Sequence, residues 1–180
     1  MLVTPEVRAR IDEMLQQQSG IVLEQVARAF EISMADVIAC LPPAEFTTVA
    51  GNQFVEVMEE VSAWGPVTLI INTPEMVFEG KGPIRKGKVA SGYYNIPGVI
   101  GGHFKPEGFA TISFLSRELM GRMSKSIFFL NRPGQCVFKI YLGRDEDGTL
   151  LPGQVTRFEE LREKLEPTSR CRPKEPEPTG

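Results

Sequence analysis

Apolar side chains recur at three- and four-residue intervals over residues 5–18, where Val7, Ile11, Met14 and Leu15 fall on one stripe and Thr4-Pro5 supplies a cap and a first-turn proline. The spacing predicts an amphipathic helix closed by Gly20. Residues 21–30 read as a second helix. Ser33, with Asp36 three positions on, starts a third that stops before Pro42-Pro43. Residues 1–43 therefore form a helical unit, expected to belong to the same domain as residues 44–166. Residues 52–64 place Phe54, Val55, Met58 and Val61 on one face, which predicts another helix ended by Gly65-Pro66.

After Pro66 the texture changes to short runs rich in Val, Ile and Phe, bounded by Gly, Pro and Asn, at residues 67–71, 76–78, 93–96, 109–115, 127–130 and 136–142. These predict strands. The turn signal Asn131-Arg132-Pro133-Gly134 between the last two makes a hairpin the economical link and an antiparallel sheet the result. Val155, Phe158, Leu161 and Leu165 restore helical spacing over residues 154–165. The expected fold class is α+β, a large antiparallel sheet flanked by helices, with residues 44–166 carrying the sheet. Residues 167–180, rich in Pro, Glu and Lys, are expected to be disordered because so polar a segment cannot bury enough surface to order itself.

A length of 180 residues, 42% hydrophobic and 24% charged, suits one ordinary globular domain. The net charge of −3 provides no global field toward nucleic acid or anionic lipid, so any basic site must be local. Cys40, Cys136 and Cys171 are far apart and lack CxxC spacing, which argues against a disulfide framework or zinc cage and leaves reduced, structural thiols. No run approaches the roughly 18 apolar residues of a membrane span, and the N-terminus lacks the pattern of a secretory signal. The expected location is the cytoplasm.

His103 is the sole histidine, preceded by Gly101-Gly102. One imidazole builds neither a zinc site nor a catalytic triad, but it suffices as the protein ligand of a haem iron, because the porphyrin supplies four equatorial nitrogens. The bland reading is a surface histidine after a glycine bend. Lys81, Arg85, Lys86 and Lys88 gather charge around Gly82 and Gly87; they suit the carboxylates of an anionic ligand, or else mark a solvated loop. The same run lacks the spacing and the following helix of a phosphate loop. Tyr93, Tyr94, Phe104, Phe109, Phe114, Met120, Met123, Phe128 and Phe129 could wall a slot for a broad apolar ligand, although burial in the core accounts for most of them. Residues 21–41 have the look of a helix-turn-helix, yet their second helix carries Asp36 and no Lys or Arg, which opposes DNA binding and favours docking or dimerisation.

The stretch from Leu119-Met120-Gly121-Arg122-Met123 through Ser124-Lys125-Ser126-Ile127-Phe128-Phe129, followed by Val137-Phe138-Lys139-Ile140-Tyr141-Leu142-Gly143-Arg144-Asp145, closely resembles the cytosolic haem-utilisation carriers of the HutX/ChuX type. Leu41-Pro42, Trp64-Gly65-Pro66-Val67-Thr68 and Gly92-Tyr93-Tyr94-Asn95 match as well, so the resemblance spans most of residues 20–165 in order. It implies a fold akin to half of a haem-degrading-type protein, often assembled as a homodimer, with haem as ligand and cargo. It also implies carriage to a degrading enzyme or other acceptor rather than catalysis, with no nucleic acid and no membrane insertion. On this basis His103 is the expected iron ligand, and Tyr93, Phe104, Arg85, Lys86 and Met120 are the expected haem-binding residues. A second histidine found in some relatives corresponds here to Asn72, a poor iron ligand, which leaves open a five-coordinate iron or a second axial ligand of water, Tyr or Met. The rival expectations are a haem-degrading or tetrapyrrole-modifying enzyme and a haem-responsive regulator.

Overall fold

A computed structural model describes residues 3–18 and 20–166. Three helices come first: α1 (Pro5–Gln17), α2 (Leu23–Phe30) and α3 (Met34–Ala39). Thr4 Oγ1 accepts the Val7 amide at the start of α1. Ser33 and Asp36 form a reciprocal capping box at the start of α3, as their spacing predicts. The chain continues through β1 (Phe46–Ala50), a short 3-10 turn, α4 (Phe54–Val61), β2 (Pro66–Asn72), β3 (Val77–Pro83), β4 (Lys88–Ala90), β5 (Tyr93–Ile96) and β6 (Gly102–Phe104). The remaining elements are β7 (Phe109–Leu119), β8 (Arg122–Asn131), β9 (Cys136–Tyr141) and α5 (Pro152–Leu165). The expected disordered tail and Cys171 lie outside the described residues.

Six strands form one sheet in the order β1-β7-β8-β9-β2-β3, each pairing antiparallel, and β4-β5-β6 form a separate three-stranded sheet. The hairpin at residues 131–134 closes as expected, with the Asn131 amide donating to the Gln135 carbonyl. Strands β1, β4 and β6 are not predicted by the pattern. The basic segment is also less of a loop than expected, since Lys81 lies within β3 and Lys88 opens β4.

Both faces of the large sheet are covered. On β8, Ile127 and Phe129 join the core beneath α4 and α5, whereas Phe128 and Leu130 join Ile11, Val26 and Val37 of the N-terminal helices. Strand alternation thus splits one strand between two cores. Helix α3 buries Met34, Val37 and Ile38 in the second of these, so its apolar face is spent on packing. The Cys40 and Cys136 thiols are free.

Phe54, fully buried at the start of α4, positions the small sheet. Its ring stacks on Phe109 at 4.4 Å and meets Phe129 edge-on at 5.7 Å, both from the large sheet. On its other side it meets Tyr94 and Phe104 of the small sheet, each at 5.9 Å. One aromatic side chain therefore joins the two sheets through contacts that such rings favour.

Candidate functional site

The three short strands of the small sheet direct alternate residues inward and outward. Tyr94 and Ile96 are buried in the main core, and Phe104 packs against it, 5.3 Å from the Phe138 ring. Tyr93, Asn95 and His103 take the outer face, where Lys88, Asn95 and His103 stand in register across β4, β5 and β6. His103 is exposed. Its ring meets Tyr93 edge-on at 6.4 Å, and the Lys105 ammonium lies 5.3 Å from the centre of the Tyr93 ring. The outer face thus brings together one imidazole, one phenol and two cations.

Asn95 is the polar hub of this face. Its side-chain nitrogen donates to the carbonyls of Lys88 (3.2 Å), Ala90 (3.2 Å) and Tyr93 (3.0 Å), while its side-chain oxygen lies 2.5 Å from His103 Nδ1. Behind the sheet, the Tyr94 hydroxyl accepts the Gly87 amide and so fixes the end of the basic segment.

The expected haem-binding residues are not all gathered here. His103 and Tyr93 stand together. Phe104, the next residue along the strand, necessarily points the other way and serves the core. Arg85 runs alongside the β5–β6 connection, where a Cβ at Gly98 would lie 3.4 Å from its Cδ. Lys86 instead pairs with Glu59 of α4 at 3.3 Å. Met120 sits in the β7–β8 turn with φ 50°, its amide donating to the Gly20 carbonyl. It borders a different cavity, of about 610 Å³, shared with Asn72, Met76, Val77 and Arg28. Lys88 is expected only as one of the basic cluster that suits an anionic ligand, whereas Asn95 and Lys105 are not among the expected site residues, although the two-residue spacing of Tyr93 and Asn95, and of His103 and Lys105, is the signal that would have found them. Among the described residues no group of three or more His, Cys, Asp or Glu is arranged to hold a metal ion.

Residues 47–161 match the family described as Haem utilisation ChuX/HutX. The chain belongs to that family. It is 36% identical over 160 residues to the intracellular heme transport protein HutX of Vibrio cholerae serotype O1, covering 87% of this chain and 83% of that protein. The solved structure of the heme-binding protein ChuX superposes with a TM-score of 0.78 at 34% identity, covering 86% of this chain and 98% of that one. The haem-degrading enzyme ChuS of Escherichia coli O157:H7 shares the fold alone, with a TM-score of 0.73 at 11% identity. This chain spans 50% of that longer enzyme, as expected for half of a haem-degrading-type protein. The α+β class and the family resemblance are both borne out. No helix among the described residues is long and apolar enough to cross a membrane.

Proposed function

We propose that this protein binds haem and carries it through the cytoplasm to a degrading enzyme or another acceptor, without itself transforming it. Membership of a haem-utilisation family supports this reading, as do the transport and binding roles that name its relatives HutX and ChuX. The observation that carries it is the exposed His103 imidazole on the outer face of the small sheet, beside Tyr93, with Lys88 in register two strands away and the Lys105 ammonium against the Tyr93 ring. An imidazole coordinates haem iron, an aromatic ring offers an apolar contact to the porphyrin, and ammonium groups suit its propionates. An open face also suits a cargo that must leave again.

A homodimer is part of the proposal. The edge strand β3 exposes Val77 and Phe78, each more than half accessible, and an uncovered apolar edge favours pairing with a second copy. Light scattering of the purified chain tests the dimer, and a single-chain mass overturns it. Titration with ferric haemin tests the function: a Soret shift that saturates at one haem per chain is expected. His103→Ala should weaken binding and move the band, and an unchanged spectrum and affinity would remove His103 from the site.

A further inference from the structure

Asn95 decides which nitrogen of His103 can act as a ligand. An asparagine side chain has a donor end and an acceptor end, and the surrounding groups determine which way it faces. Here three backbone carbonyls, of Lys88, Ala90 and Tyr93, converge on one end of the Asn95 amide at 3.0–3.2 Å. Carbonyls only accept, so that end must be the NH2 group. The reversed amide would set its oxygen against three other oxygens with no hydrogen between them. The carbonyl end is thereby aimed at His103 Nδ1, 2.5 Å away. Since this oxygen can only accept, Nδ1 must carry the proton.

We infer that Asn95 is a positioning residue that holds neutral His103 in its Nδ1–H tautomer and leaves the lone pair on Nε2, across the ring, free for haem iron. This rests on the haem-carrier reading for its ligand, but the tautomer is a property of the protein alone. The arrangement couples two levels of structure: the Asn95 amide is locked by the ladder of β4 and β5, and the lock is passed to a side chain on β6. A ligating imidazole whose other nitrogen donates to a fixed oxygen is held in orientation and made a stronger base. The same bond limits rotation of a side chain that is otherwise exposed, so binding loses less rotamer freedom.

Because the chain has one histidine, its imidazole nitrogens can be read without ambiguity in a long-range proton–nitrogen NMR spectrum of the uniformly 15N-labelled full chain. With the ring in its neutral form, Nδ1 should appear as a protonated nitrogen and Nε2 as an unprotonated one. The Nε2–H form in the wild-type chain would overturn the inference, and because this spectrum needs no variant, the result is independent of whether any mutant folds. Asn95→Ala should release the constraint, shifting the tautomer balance toward Nε2–H and weakening haemin binding by about 10-fold, the lower end of the loss typical when such a supporting partner is removed. Retention of the Nδ1–H form in a folded Asn95→Ala chain would equally refute the role of Asn95. Haemin that binds without disturbing the His103 signals would instead overturn the ligand reading and leave the tautomer assignment standing.

Discussion

The Tyr94 hydroxyl accepts the backbone amide of Gly87 at 2.9 Å, a buried bond that ties the end of the basic segment to the small sheet. Gly87 is also pressed against the same ring, since a Cβ there would stand 2.7 Å from it. Tyr94→Phe leaves the Gly87 amide without its acceptor and should cost about 1–3 kcal/mol in urea unfolding. Gly87→Ala should also destabilise, by displacing the ring. Unchanged unfolding midpoints in both variants would show that the segment is not anchored there.

Phe54 joins the two sheets, so its removal should be felt at a distance. Phe54→Ala should lower stability by about 3–5 kcal/mol and weaken haemin binding, although Phe54 lies beneath the outer face and not on it. Calorimetry and haemin titration on the same sample would check both effects. Full retention of affinity would mean that the small sheet holds its shape without this contact.

Lys139 and Glu24 form a nearly buried ion pair between β9 and α2, with the ammonium also 4.9 Å from the Phe128 ring centre. Breaking such a pair from one side strands a charge away from water. Lys139→Met or Glu24→Leu alone should cost about 3–5 kcal/mol, and the double variant should be much less damaging than the sum of the two. A double-mutant cycle on denaturant midpoints measures this, and strict additivity would deny the coupling.

The cations of the outer face should act on haemin through its propionates. Lys88→Ala and Lys105→Ala should each weaken binding about 2- to 5-fold at low ionic strength, with the difference fading in concentrated salt. Lys86→Ala, whose ammonium is engaged with Glu59, should leave affinity nearly unchanged. Equal losses in all three variants would refute the assignment of Lys88 and Lys105 to the site.

Burial pushes the Cys136 thiol from 9.0 up to about 12. Its value in the folded chain lies above its value in the unfolded chain, so its contribution to stability is intact below about pH 9. It is lost as pH rises toward 12, because only the unfolded chain readily ionises the thiol. Tyr141, raised by the same cause, acts in the same direction. Cys136→Ala should therefore flatten the alkaline decline in unfolding free energy. At pH 8 the native thiol should resist iodoacetamide, as mass spectrometry of the peptide would show; rapid alkylation would contradict its burial.

Long amphipathic elements are legible in the sequence because their periodicity is written locally. The stripe of Val7, Ile11 and Met14 marks α1, and the Ser33–Asp36 spacing marks the start of α3. Strand β1 escapes because its Thr47-Thr48 core is polar, and Thr48 is accommodated by a 2.8 Å hydrogen bond to Ser113, 65 residues away. Strands β4 and β6 have three residues each, too few for alternation to register. The consequence reaches the site. Without β6 as a strand, His103 and Phe104 look like neighbours in one slot, when pairing with β5 sends them to opposite faces. That His103 is the sole imidazole is visible in the sequence. Its partnership with Asn95 is not, because the loop and strand segments between them must fold before the two side chains meet.

The small sheet turns Tyr94, Ile96 and Phe104 toward the packed interior and Tyr93, Asn95 and His103 toward solvent. A cargo seated on the solvent side can therefore dock or depart without any interior side chain changing its neighbours. On the proposed reading, handover would require breaking surface bonds only, and an acceptor could approach the macrocycle from outside while the carrier stays fully folded.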